Sequence, residues 1–216
     1  MDRMEIRDRI VIAMLPHAGF DGWGEQALAA ALADADLSQD MATRVFPGGM
    51  REIVGHWSSH SDRRMAEEMA ARHLEPMRIR DRAALAIRVR LEVNLEHREA
   101  VRRALAFVAL PQNAEVGVRC TYDTVTAMWY AAGDTSSDYT FYTRRALLAA
   151  VYGAAILYWL DDESEDYDDT WSFISRRMED VMKIPDLQSR LTSAVEGFVS
   201  PLNGRMRRRF RTSWPD

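Results

Sequence analysis

GDTSSDYTFYTRRALLAAVYGAAILYWL, residues 133–160, changes character half-way along. It opens polar, runs through Tyr139, Phe141 and Tyr142, passes Arg144 and Arg145, and then turns apolar. From Ala146 to Leu160 there is no charge and no strongly polar group except two tyrosine hydroxyls. Such a run makes a helix about 22 Å long at about 1.5 Å per residue, whereas a bilayer core needs roughly 20 apolar residues. The pattern therefore predicts a buried helix, apolar on all sides, with the other helices wrapped around it.

The bulk of the chain fits that plan. Its 216 residues suffice for one domain of good size, or a small one beside a medium one. A net charge of -5 argues against a general nucleic-acid binder, although local patches decide that question. Cys120 stands alone, so the chain forms no internal disulfide and no cysteine metal cage, which points to a reducing compartment. MDRMEIRDRI at the N-terminus has no uninterrupted apolar region. Its Asp2, Glu5 and Asp8 are unlike a transit peptide, so a cytosolic or already processed chain is expected.

Working outward, almost every segment has a helical period. Ile6, Ile10, Ala13 and Met14 predict a first helix over 4–15, ended by Pro16 and Gly19. Asp21 is positioned to cap a second helix, and Ser38 to cap a brief third one that FPGG at 46–49 stops. Three short helices with a tight turn between the last two follow the helix-turn-helix plan. A fourth helix is predicted over 49–73. Residues 87–95 alternate in a strand's period, as do Val116, Val118, Cys120 and Tyr122. Neither run contains Gly or Pro punctuation and every neighbour is helical, so both are assigned to helices buried on more than one side. Further helices run from 97 towards Pro111 and over 113–132, the latter closed by Gly133. DDESEDYDD at 161–169 forms an acidic loop ahead of a ninth helix, and a last helix runs from about Asp186 towards Phe210.

The candidate chemistry is sparse. Residues 17–46 hold Asp21, Glu25, Asp34, Asp36 and Asp40 against Arg44, so the helix-turn-helix would repel DNA, whose readers need Lys and Arg for phosphate contacts. His56 and His60 have a metal-site spacing, but no glutamate completes a zinc-protease motif and no Glu-x-x-His pair occurs; solvated or hydrogen-bonded histidines and no metal are expected. The acidic loop lacks the glycine and the closing glutamate of a calcium loop, so it reads as a solvated cap for the next helix. There is no nucleophile elbow, phosphate loop or triad spacing, and no enzyme is expected. The last helix carries an apolar stripe that includes Leu191, Val195, Phe198, Leu202, Met206 and Phe210. Arg207 and Arg208 fall among the arginines concentrated at its far end, with Trp214 beyond. A basic amphipathic helix of this kind suits an interfacial membrane contact; the plainer alternative is a helix packed on its own core. The small residues of the central helix, Ala149, Ala150, Gly153, Ala154 and Ala155, suit close packing or leave room for a lipid.

Five segments carry a specific likeness. AGDTSSDYTFYTRRALLAAVYGA and LDDESEDYDDTWSFISRRMEDVM, with LPHAGFDGW, RVFPGG and EHREAVRRALAFVALPQN, resemble the ubiquinone-biosynthesis accessory lipid-binding proteins, the ninth in the coenzyme Q series. The likeness covers roughly residues 6–185 and is densest over 128–182. It implies an all-α, TetR-like bundle of about ten helices with a helix-turn-helix remnant. The implied divisions are 1–46 for that remnant, 47–185 for a lipid-binding domain, and 186–216 for a membrane-contacting helix and tail. The resemblance implies no catalysis and no cofactor, but a bound isoprenoid quinone intermediate presented to a di-iron demethoxyubiquinone hydroxylase. Docking residues implied by it are Met128, Asp138, Tyr142 and Arg145, with Phe141 where eukaryotic members have tryptophan, and this patch would face outward from Asp138 to Arg145. Trp129, Leu148, Val151, Tyr152, Ala155 and Ile156 would line the lipid pocket. A homodimer through late helices is implied too. So is a peripheral place on the inner face of a bacterial membrane, the matrix side for eukaryotic relatives. A TetR-type transcriptional regulator with a small-molecule pocket is the alternative.

Overall fold

The computed structural model describes residues 2–134 and 140–181, with backbone alone for 140–143. The predicted last helix and tail over 186–216 lie outside them. Backbone contacts divide the chain into two compact units, Met1–Ser175 and Arg176–Asp216. No strand occurs among the described residues.

The N-terminal part of the first unit holds α1 (Arg3–Asp21), α2 (Glu25–Asp34) and α3 (Gln39–Val45). Pro16 does not end α1. The helix runs on to Asp21 and stops where Gly22, at φ +81°, donates its N–H to the Ala18 carbonyl. Pro16 costs one backbone bond, but α1 packs against α2, α4 and α6, and Ile10, Val11, Met14 and Ala18 are fully buried. That burial outweighs the missing bond. Asp21 therefore closes α1 rather than capping α2, whose N-cap is Gly24. Ser38 caps α3 as expected, its Oγ accepting from the Met41 N–H at 3.2 Å.

The larger part consists of α4 (Gly49–Ala70), α5 (Ile79–Glu92), α6 (Arg98–Ala109), α7 (Ala114–Ala131) and α8 (Thr140–Asp161). The alternating run at 87–95 is helical up to Glu92. Ile87, Val89, Arg90 and Leu91 are all buried because α5 is flanked by α4, α7 and α8. A helix covered on several sides loses its one-sided period, which is why it imitates a strand. Where α7 alternates the reason differs: Val118 and Tyr122 are exposed. Gly133, at φ +87°, closes α7.

Beyond α8, the acidic run forms a short turn at Glu165–Tyr167, and a ninth helix, α9, begins at 168 and continues to the last described residue, 181. Two arginines of α6 fix this corner. Arg98 donates to the Trp159 carbonyl at 2.6 Å and the Asp162 carbonyl at 3.1 Å, and its guanidinium lies over the Trp159 and Tyr167 rings. Arg102 donates to the Leu160 carbonyl and to Asp161. Cations on the last carbonyls of α8 suit its dipole.

Candidate functional site: an apolar groove on α6, α7 and α8

α8 has a packed face and an open one. Arg145, Leu148, Tyr152, Ala155 and Trp159 fall three or four residues apart and are all buried. Next to that stripe, Ala146 and Ala149 line an open space together with small residues on α7, Ala114, Gly117 and Thr121, and the end of α6 at Val108 and Ala109. Side chains this short cannot fill the space between three helices. An apolar groove of about 670 Å³ remains, completed by Val118, Tyr122, Val125 and Arg145. Its size lies within the roughly 300–1,000 Å³ typical of small-molecule sites. A Cβ at Gly117 would stand 3.1 Å from the Val108 Cβ and 3.2 Å from its Cγ2, so the Val108 side chain would have to give by a few tenths of an ångström.

Behind the groove lies a buried polar network. Arg90 Nε donates to Asp62 Oδ1 at 2.7 Å, and the Thr124 hydroxyl donates to the same carboxylate at 3.0 Å. Burial pushes the Tyr152 phenol up from its ordinary value, although nearby Arg90 pulls it down. Burial likewise raises the Cys120 thiol, leaving it protonated at neutral pH. The indole Nε1 atoms of Trp57, Trp129 and Trp159 are buried with no acceptor among the described residues.

On the opposite side of α7 a second cleft, also about 670 Å³, is lined by charged groups that include Arg7, Glu52, Arg63, Glu115 and Asp123. His56 is among its lining residues, and His60 follows one turn later on α4. His56 Nε2 is 2.7 Å from Asp8 Oδ1, His60 Nδ1 is 3.4 Å from it, and Arg63 donates to both Asp8 oxygens at 2.7 and 2.9 Å. Asp8 thus holds a cation and two imidazoles in place. No group of three or more His, Cys, Asp or Glu among the described residues is arranged to hold a metal. Nor is any described helix long and apolar enough to cross a membrane.

Comparison with known proteins places this architecture. The COQ9 family model matches residues 114–185, which contain α7, α8 and most of the groove's lining. Ubiquinone biosynthesis protein COQ9, mitochondrial, of Rattus norvegicus is 30% identical over 211 residues, covering 93% of this chain and 66% of that protein. Its Homo sapiens counterpart is 29% identical over 211 residues, with 93% and 65% covered. The chain belongs to the COQ9 family. It spans about two thirds of the length of these COQ9 relatives. A TetR transcriptional regulator from Nitrosomonas europaea ATCC 19718 superposes with a TM-score of 0.66 at 21% identity, covering 82% of this chain and 98% of that one, which establishes the TetR-like, all-α fold.

The start of the segment AGDTSSDYTFYTRRALLAAVYGA now has a partial physical account. Gly133 supplies the positive φ that ends α7, and Asp134, 7% exposed, meets Arg144 at 3.7 Å across the α7–α8 connection. One expectation needs correction. Met128 is fully buried and Arg145 is 4% exposed, so these two positions do not present an outward docking face. The reason is helical phase: Met128 shares the inner face of α7 with Val125, Trp129 and Ala132, and Arg145 begins the buried stripe of α8. Asp138 and the side chains of Phe141 and Tyr142 lie outside the described residues, as do the membrane-contact positions Leu191, Val195, Phe198, Leu202, Met206, Arg207, Arg208 and Phe210.

The six pocket positions named from the family likeness, Trp129, Leu148, Val151, Tyr152, Ala155 and Ile156, are all buried. None is among the described residues lining the groove. They pack the core beside it, one face further round the helices. The groove's own lining was missed by sequence reasoning because Val118 and Tyr122 looked like buried residues. The run of small residues at 109, 114, 117, 146 and 149 was the available signal.

Proposed function

We propose that this protein is a non-enzymatic, lipid-binding accessory protein of ubiquinone biosynthesis. In this reading it holds an isoprenoid quinone intermediate and presents it to the di-iron demethoxyubiquinone hydroxylase at a membrane surface. The observation that supports it is the apolar groove between α6, α7 and α8, left open by small residues where a packed core would have large ones. Burial of each tail methylene contributes about 0.8 kcal/mol, so a tail needs such a surface to leave a bilayer. COQ9 relatives named for ubiquinone biosynthesis support the pathway.

The hydroxylase would dock at the α7–α8 connection, through Asp138, Phe141 and Tyr142. Exposed Tyr130 adjoins that connection. The basic amphipathic stretch over 186–216 would touch the membrane. Exposed Leu157 and the Cβ-free, open surface at Gly153 on α8 suit a homodimer; mass in solution reads that point.

Native mass spectrometry of the full chain tests the core of the reading. The wild type is expected to carry isoprenoid lipid and to co-purify with the hydroxylase. Gly117→Leu fills the groove and is expected to lose the lipid at least tenfold (about 1.4 kcal/mol). A consistently empty wild type, or full lipid loading of G117L, counts against it.

A further inference from the structure

The charged cleft between α1, α4 and α7 is open because its walls carry short side chains. Gly55, Ser58 and Ser59 share one face of α4 and line it together with Cys120 of α7, and a Cβ at Gly55 would meet nothing within 4 Å. Arg51 stands four residues before Gly55 and Arg63 four after Ser59, so both fall on that face. Arg63 is held by Asp8. Arg7 of α1 is held by Glu52 at 2.8 Å and lies over the Phe46 ring, yet its buried Nε has no acceptor among the described residues. The second oxygen of Glu52 accepts the Gly48 N–H at 2.8 Å. Arg51 is exposed and pairs with no described residue. On α7, Arg119 lies 3.9 Å from Asp123, while Glu115 is exposed and also pairs with no described residue. The α1–α4 wall thus sets Arg7, Arg51 and Arg63 against Glu52 and Asp8, one positive charge in excess. The α7 wall sets Glu115 and Asp123 against Arg119, one negative charge in excess. No ion pair among the described residues crosses from one wall to the other. Low-dielectric walls strengthen the field of the charges that line such a cleft.

We propose that this cleft binds a small water-soluble zwitterion, its phosphate or carboxylate on the α4 wall at Arg51 and its ammonium on the α7 wall at Glu115. A guanidinium offers such an anion a fork of N–H donors, and a carboxylate accepts from an ammonium. A ligand with both charges matches both walls, whereas a simple anion or cation meets one wall of its own sign. Met4 and Val116 are the large apolar side chains of the described lining, too few to bury a tail, so the ligand is a free zwitterion and not a lipid head. The cleft and the apolar groove share no described lining residue, so this site stands apart from the lipid reading.

Phosphoethanolamine, inorganic phosphate and ethanolamine separate the two charges. Each is titrated calorimetrically into the full chain at low salt, where screening is weakest. The wild type is expected to bind phosphoethanolamine about tenfold more tightly than either fragment. Arg51→Gln is expected to weaken phosphoethanolamine and phosphate alike, and Glu115→Gln to bring phosphoethanolamine down to the affinity of phosphate. Gly55→Leu, which fills the cleft from a helical position with open space around it, is expected to lose binding. All three variants should melt like the wild type, since none removes an interaction of the fold. Absence of phosphoethanolamine binding by the wild type overturns the proposal, and so does phosphate binding equally well. Affinity unchanged in Arg51→Gln or Gly55→Leu removes the ligand from this cleft. Tighter binding of glycerophosphoethanolamine, a lipid head without its tails, overturns the free ligand in favour of a lipid head.

Discussion

Asp162 shows how one residue of the acidic run differs from its neighbours. Its Oδ1 accepts the Ser164 N–H at 2.8 Å, and its Oδ2 accepts the Thr170 N–H at 2.9 Å and the Thr170 hydroxyl. Burial alone would raise this carboxyl, but the hydrogen bonds from Ser164 and Thr170 outweigh it and bring it down to about 2 from 3.8. The folded value is the lower one, so the stabilisation is complete above about pH 4 and is lost as pH falls towards 2. Asp162→Ala strands the buried Thr170 N–H and is expected to destabilise the chain by about 2 kcal/mol at pH 7. Thermal melts of both proteins should converge as pH approaches 2; a constant gap would assign the loss to packing. That the acidic loop caps the next helix was legible in the sequence. Which acid does so was not, because DDESEDYDD offers several equivalent carboxylates and only the fold selects the buried one.

Among elements, the joint between α1 and α4 is the part the sequence described least well. Pro16 suggested a helix end, yet α1 continues to Asp21 and brings Asp8 against His56, His60 and Arg63 of α4. A local breaker is visible in one dimension, while the packing that overrides it comes from the neighbouring α2 and from α4 and α6, which are distant in sequence. Burial lowers His56 and His60 below 6.5, and Asp8 only partly reverses this because Arg63 and other arginines oppose protonation. Both imidazoles are therefore neutral in the fold at pH 7, and Nε2–H of His56 donates to Asp8. As pH falls below 6.5, the unfolded chain binds protons first, so the joint's stabilisation, present above 6.5, declines. Calorimetric melting is expected to drop between pH 7.5 and 5.5. The double variant His56→Gln, His60→Gln should flatten that slope; an unchanged slope would place the titration elsewhere. The buried faces of α5 and α8 carried the same ambiguity in milder form. A helix covered on several sides looks alike from every direction, so its burial was legible but not the face that borders the groove.

At the scale of the whole molecule, the fold is shared with a transcriptional regulator at a TM-score of 0.66, so architecture alone does not choose between a nucleic-acid surface and a lipid surface. The charges read from the sequence favour the lipid reading proposed above. The α2–α3 segment bears Glu25, Asp34, Asp36 and Asp40, and α3 contributes Arg44 as its basic residue. Duplex binding needs several Lys or Arg contacts, each steepening the salt dependence. The basic concentration lies instead at the far end of the chain, where Arg205, Arg207, Arg208, Arg209 and Arg211 accompany the apolar stripe ending at Phe210. Each such residue near an anionic bilayer contributes about 1 kcal/mol. The full chain is therefore expected to float with vesicles containing phosphatidylserine and to leave duplex DNA unretarded at micromolar protein and low salt. Removal of residues 186–216 should abolish flotation while leaving the melting of the helical body in place. Tight, salt-sensitive DNA binding, or flotation indifferent to the truncation, would reverse the choice, because the two polyanions are then recognised by the wrong ends of the chain.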